Sequence, residues 1–210
     1  MNILKRASAL LIACVALNVG ALQAQSENSD APLMLLATPQ LADPVFGQTV
    51  LLTAPLKEGA RIGVILNRPT DHPMDSLFPD HKVLNQIKDP VYFGGPMLPE
   101  VMVVLVLSDT NPGQGSLKVG SGLYLALGAS VIEKVLKETP EKVRCFIGSV
   151  LWQAGELDQQ IKEGAWSIVQ TDNEMIFSRN PEGLWESLQH KAKLQTAQRQ
   201  VPVLAAALSR

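Results

Sequence analysis

The chain has 210 residues, 46% of them hydrophobic and 18% charged, which suffices for one well-packed core and requires no second domain. Its formal net charge is −2, without a basic stripe, so the electrostatic footprint of a nucleic-acid binder is excluded. Two cysteines and three histidines leave no disulfide framework and a thin supply of bases for nucleophilic catalysis.

At the start, Lys5 and Arg6 precede an apolar run from Ala7 to Leu22 that ends near Leu22-Gln23-Ala24. This is the layout of a secretory signal peptide, with cleavage expected after Ala24 and an exported, periplasmic domain as the product. Two alternatives stay open: an uncleaved membrane anchor, because Leu22 is larger than the usual small residue, and a lipoprotein, with Leu11 to Cys14 as a lipobox and Cys14 lipidated. Cleavage removes Lys5 and Arg6, taking the formal net charge from −2 to −4, and leaves Cys145 without an intrachain partner. Residues 25–32 are polar and read as a disordered lead-in.

Leu33 to Ala37 and Gln48 to Ala54 are apolar runs of strand length, separated by a turn at Asp43-Pro44. A short polar loop with Gly59 then closes an antiparallel hairpin onto Ile62 to Asn67. The stretch Gly63-Val64-Ile65-Leu66-Asn67-Arg68-Pro69-Thr70 predicts a strand buried on both faces that leaves the sheet at Pro69, which has no N–H for a ladder. From Thr70 to Lys88 the chain is polar and broken by Pro73 and Pro79, with room for about one helical turn at Met74 to Phe78. A second apolar run, Val91-Tyr92-Phe93, halts at Gly94-Gly95-Pro96. Val101 to Leu107 predicts a central strand, and Asn111 to Gly122 a Gly-rich loop. Ser130 and Glu133 form a capping-box pattern at the head of a helix with Val131, Ile132, Val135 and Leu136 on one face, stopped by Pro140. Val143 to Leu151 reads as a strand, Glu156 to Glu163 as a helix ended by Gly164, and Trp166 to Gln170 as a strand. Asn180-Pro181 predicts the start of a helix through about Lys193 that buries Leu184, Trp185 and Leu188. Val201 to Leu208 is a short apolar tail.

Three of these stretches resemble the AlgH/YqgE family. Ala37 to Phe46 matches its A-x-P-x-L-x-D-P-x-F pattern, Gly63 to Pro69 its G-x-x-x-N-[KR]-P, and Val91 to Pro96 its V-x-x-G-G-P. The resemblance runs from about Leu33 to Leu194 and continues through Gly148 to Leu157, where Ser149 and Val150 stand in place of Tyr-Ala, Leu151 in place of Gly and Glu156 in place of Gln. It implies an α+β fold and carries no defined biochemical activity, although members are labelled transcriptional regulators. An exported chain without a helix-turn-helix pattern or basic face would act on expression only indirectly.

Residue patterns for catalysis or metal binding are weak. Ser149 follows Gly148 without the G-x-S-x-G elbow. Cys145 has Arg144 beside it, which would lower its pKa, but Phe146 and Ile147 predict a buried thiol. Asp71, His72, Asp75, Asp80 and His81 have ligand-type side chains without ligand spacing, and the glycines at 113, 115, 120 and 122 lack the Gly-Lys-Ser/Thr of a phosphate loop. Trp152, Trp166 and Trp185 read as core. No catalytic residue, metal or cofactor is assigned.

The remaining candidate is the pair of strand ends. Arg68 offers a planar fork of donors, supported by Asn67, and Gly94 and Gly95 allow backbone amides close to an anion. The alternative is that Asn67 and Arg68 tie a loop to backbone carbonyls and Gly-Gly-Pro is a turn. The sequence therefore predicts one α+β domain over 33–194. Its sheet is mixed, largely antiparallel and strongly curved, with helices outside, and residues 195–210 form a tail. The protein is expected to act as a non-enzymatic module of the cell envelope that binds a small anion or a protein, with no nucleic-acid partner and no stable membrane insertion after cleavage. A periplasmic hydrolase with an unrecognised site is the alternative.

Overall fold

The computed structural model describes residues 31–77, 82–84, 87, 89–170, 172–178 and 180–194. The leader, the lead-in through Asp30 and the tail after Leu194 lie outside these residues. Among these residues nine strands form one curled sheet with helices against it. The strands are β1 (Leu33–Ala37), β2 (Val50–Pro55), β3 (Arg61–Ile65), β4 (Tyr92–Phe93), β5 (Met97–Leu107), β6 (Ser116–Gly120), β7 (Leu123–Ala126), β8 (Val143–Trp152) and β9 (Trp166–Val169). Along the sheet the order is β6-β7-β5-β8-β3-β2-β1-β9, and the short β4 pairs β8. Every ladder is antiparallel except β4 with β8.

The continuous apolar runs of β1, β2, β3 and β5 bury both faces, as their composition requires. On one face Met34, Leu36, Val50, Leu52, Val64, Leu105 and Phe146 share the concave interior, and the sheet curls far enough that Val119 of β6 joins them. On the outside, Val104, Val106, Val143 and Cys145 are covered by the helix α2 (Ala129–Glu138), through Val131, Val135 and Leu136. The other outer face, with Leu35, Leu51, Ile65 and Trp152, is covered by α3 (Glu156–Lys162) through Leu157. A single turn, α1 (Met74–Leu77), seats Met74 in the α2 side. The short α4 (Asn173–Ile176) and a helix over 184–194, α5, contribute Ile176, Leu184 and Leu188 to the interior itself, so they close the mouth of the curl.

Three local expectations are corrected. The Gly-rich stretch 111–122 contains β6, because Leu117 and Val119 have apolar partners and the segment pairs along β7; the glycines mark only its ends. α2 has no capping box: Gly128 is the N-cap with no side-chain bond, which puts Ser130 inside the helix, and Glu133 instead pairs with Lys137 at 2.6 Å. Asn180 accepts from the Gly183 N–H at 3.3 Å and so caps a separate turn; helical residues begin only at 184. The Gly183 carbonyl accepts the Ser187 N–H, so Gly183 closes the N-terminus of α5.

The residue that fastens the mouth is Arg144 on β8, almost fully buried. Its Nε donates to Asp89 Oδ2 at 2.9 Å, Nη1 to Ile176 O at 2.6 Å and Nη2 to Ser178 O at 3.1 Å. Its guanidinium also lies over the Tyr92 ring, 4.4 Å from the centroid, and near Phe177. All three nitrogens are thereby paired, which a buried guanidinium needs. Arg144→Ala strands two carbonyls and a half-exposed carboxylate, and is expected to cost about 2–4 kcal/mol in urea unfolding. A loss below about 1 kcal/mol would show that the 172–178 segment is held by apolar contacts alone.

Candidate functional site

The corner at the end of β3 is assembled from three loops. Asn67 is buried: its Oδ1 accepts the Val50 N–H at 2.8 Å and its Nδ2 donates to Gln48 O at 2.9 Å. Gln48 holds a left-handed backbone at φ 56, a conformation a non-glycine residue keeps only when held there. Arg68 reaches the same loop, its Nη2 donating to Gly47 O at 2.7 Å. The loop builds its own turn, with Asp43 Oδ1 accepting the Val45 and Phe46 N–H groups, each at 2.8 Å, and Thr49 Oγ1 donating to Phe46 O. Phe46 then meets Trp166 edge to face.

On the opposite side, Pro69 bridges Tyr92, and the Phe93 N–H donates to Arg68 O at 2.8 Å. That register makes Arg68 and Phe93 cross-strand neighbours on one face. The Ile65 N–H donates to Gly94 O, and the Gly94 N–H to Ile147 O. A Cβ on Gly94 would stand 2.2 Å from Gly148 O, and one on Gly148 2.2 Å from Gly95 O. The Gly-Gly pair therefore serves a close backbone crossing with β8.

All four predicted residues thus gather at one corner, with unequal freedom. The side-chain polar atoms of Asn67 and the amide of Gly94 are engaged with backbone. Arg68 is half-buried and commits one nitrogen to Gly47 O; the ion pairs among the described residues, Lys137–Glu133 and Arg144–Asp89, do not involve it.

The other sequence candidates have structural partners. The Ser149 hydroxyl is buried and directed at Met97 O, 3.5 Å away. Cys145 is buried on the α2 side of the sheet, and burial, with a smaller contribution from Asp89, pushes its thiol up to about 12. Arg144, its neighbour in sequence, turns to the other face, so the lowering expected from adjacency does not occur. No group of three metal-ligating side chains occurs among the described residues; Asp80, His81 and the Asp75 side chain lie outside them, and Asp71 and His72 are exposed. Trp152 and Trp166 are buried, and both indole N–H groups donate to Gln160 Oε1, at 3.0 and 2.9 Å. Trp185 donates to Ala37 O at 2.8 Å. Sequence reasoning missed Gln160 and the Arg144–Asp89–Tyr92 group. No local pattern marks them, since their partners are brought in by the curl of the sheet.

A sequence model described as AlgH-like, DUF179, matches residues 34–197. The chain belongs to this AlgH-like family. A UPF0301 protein of Paraburkholderia phymatum is 32% identical over 158 residues, covering 73% of this chain and 83% of the relative. One of Burkholderia mallei is 32% identical over 163 residues, with the same two shares. The solution structure of the AlgH protein from Pseudomonas aeruginosa superimposes with a TM-score of 0.61 at 26% identity, over 79% of this chain and 89% of that one. A crystal structure of a Corynebacterium diphtheriae protein gives 0.57 at 21% identity over 68% and 76%, and shows the fold alone. The expected α+β architecture with a curled, mostly antiparallel sheet is thus the AlgH-like one. The three motif stretches that carry the resemblance lead to the corner described above: Gly47 and Gln48, directly after the first, accept from Arg68 and Asn67 of the second, and the third lies against β8.

Burial of Cys145 gives a pH prediction. The native thiol keeps its proton to about 12, while the unfolded thiol loses it near 9.0. The contribution to stability is therefore complete below about pH 9 and is lost as pH rises from there toward 12. Tyr92, pushed up from 10.0 to about 12 mainly by burial, acts in the same sense over a narrower window. Urea midpoints of wild type should fall between about pH 9 and 10.5, and Cys145→Ala should fall less steeply. Alkylation of the native thiol should be slow until denaturant is added; rapid labelling would contradict its burial.

Proposed function

We propose that this AlgH-like protein is a non-enzymatic binding module of the cell envelope. Its Arg68 corner receives a carboxylate or phosphate, from a small anion or an acidic peptide segment. The observation that carries the reading is the half-buried Arg68, its guanidinium bonded to Gly47 O with no acidic side chain among its described partners. Anchored in this way, the fork loses little rotamer freedom when a ligand oxygen arrives. Asn67 keeps the loop in register, Gly94 and Gly95 shape the floor, and Phe93 supplies an apolar neighbour. A hydrolase reading has less support, because the Ser149 hydroxyl is buried, facing Met97 O, and Cys145 is buried with a raised pKa.

Placement in the envelope is inferred from the leader, Lys5 and Arg6 followed by the apolar run to Leu22. Among the described residues no helix is long and apolar enough to cross a membrane. Any effect on gene expression is indirect, since the charge pattern offers nothing to nucleic acid. Mass spectrometry of the protein from the periplasmic fraction should find a chain beginning at Gln25. An intact Met1 in the cytosol would contradict export.

Calorimetric titration with acetate, inorganic phosphate and Asp/Glu-rich peptides tests the corner. Wild type should bind at least one of these, and Arg68→Ala should weaken that binding by roughly 1.5–3 kcal/mol, the contribution of a charge-assisted pair. Loss of the bond to Gly47 O should cost only about 1 kcal/mol of stability. Absence of any heat with wild type, together with a collapsed melt for Arg68→Ala, would make Arg68 a loop anchor and overturn the reading.

A further inference from the structure

We infer that the Arg68 corner is the head-group end of a longer site that takes a straight-chain fatty acid, its carboxylate on Arg68 and its aliphatic chain laid across the sheet into the groove beside α2. The inference rests on the reading of Arg68 as a carboxylate site and names the ligand class.

Backbone register carries the argument. Pro69 bridges Tyr92 in the antiparallel sense, which sets Arg68 beside Phe93; Phe93 pairs Ile147 of β8, and Ile147 pairs Met102 of β5. Residues in register share a face, so the four side chains form one row across neighbouring segments. That face is the α2 side, where Ile147 and Met102 pack. None of the four is fully buried: Phe93 is 38% exposed, and Arg68, Ile147 and Met102 are half-buried. The row ends at an apolar groove of about 400 Å³ between β5 and α2, with Met102, Leu127, Ile132 and Leu136 among its walls. At about 4.8 Å per strand, Arg68 to Met102 spans about 14 Å, the reach of an alkyl chain of roughly a dozen carbons.

The occupant follows from what the row offers. A cation stands at one end, and the three side chains that lead from it to the groove are apolar. The row crosses the strands, and the backbone groups beneath it are committed, the Phe93 N–H to Arg68 O and the Gly94 N–H to Ile147 O. An extended peptide laid along it would find no backbone partners, whereas an aliphatic chain needs none. Direction is set by charge. Glu133 lines the groove, with Lys137 as its partner, and disfavours a carboxylate at that end, so the head group lies at Arg68 and the methyl end in the groove.

Calorimetric titration with acetate, hexanoate, octanoate and dodecanoate, each below its micelle concentration, reads the row through chain length. A fully buried methylene is worth roughly fourfold in affinity, so a chain on a half-exposed row should gain about twofold per methylene and dodecanoate should bind at least about thirtyfold tighter than hexanoate. Phe93→Ser and Met102→Gln should each cut that ratio at least about fivefold. Phe93 is exposed, so Phe93→Ser decides should Met102→Gln melt early. Arg68→Ala should weaken both acids alike, and dodecyltrimethylammonium should not compete. Acetate binding that gains nothing with chain length, or an acidic peptide that binds where dodecanoate does not, would overturn the inference and leave the Arg68 reading standing. Absence of binding by any carboxylate would overturn both. Dodecanoate binding that Arg68→Ala leaves unchanged, or that the trimethylammonium matches, would be adsorption to apolar surface and would overturn the inference as well.

Discussion

The structure depends on one backbone crossing. β8 runs through both halves of the sheet, pairing β5 along most of its length and β3 at its end, and it turns from one neighbour to the next at Gly148, where φ is 76. At that point the Gly94-Gly95 turn lies against it so closely that a Cβ on any of the three glycines would fall within 2.3 Å of a carbonyl oxygen. No side chain can be accommodated by a shift of a flexible tip, because the obstructing atoms are backbone. The crossing sets where β4 lies, and through the bonds of Gly94 to Ile65 and of Phe93 to Arg68 it sets the end of β3. Everything at the candidate corner is thus positioned from β8 outward.

That dependence explains why most of the corner's polar groups are already engaged. Asn67 satisfies the backbone of a loop whose own geometry includes a left-handed Gln48, and a buried amide with both ends paired holds such a loop far better than solvent would. Arg68 differs from its neighbour because its fork has more donors than the loop uses. The departures from the family pattern in 149–156 are also accommodated structurally. Ser149 and Val150 are buried in β8, and Glu156 turns back to accept the Gln153 N–H at 2.9 Å ahead of α3.

Much of this was legible in the residues. The apolar runs at β1, β2, β3, β5 and β8 read as strands, that of β3 as buried on both faces, and Pro69 and Pro96 marked where chain leaves sheet. The paired corners at Asn67-Arg68 and Gly94-Gly95 were readable as neighbours because both are strand ends halted in the same way. What was not legible came from long-range closure. Arg144 read as a possible activator of Cys145, and only the curl of the sheet shows its guanidinium on the opposite face among Asp89, Tyr92 and two carbonyls. Ser130 and Asn180 had the right identities for caps, yet Gly128 and Gly183 hold those positions, because packing of the apolar face fixes where each helix begins. β6 was hidden by its flanking glycines, which outweigh the alternation of Leu117 and Val119 on inspection but not in the folded interior.

The central claim, that the glycine crossing positions the fold, is tested by comparing Gly148→Ala with Gly155→Ala in chemical denaturation. The two residues have nearly the same backbone, φ 76 and φ 77, but an added Cβ meets Gly95 O at 2.2 Å in the first and nothing within 4 Å in the second. Gly155→Ala should therefore cost only the left-handed penalty, about 1–2 kcal/mol, and Gly148→Ala at least about 2 kcal/mol more, or fail to fold. Equal losses at the two positions would show that the crossing yields without cost and that the account is wrong.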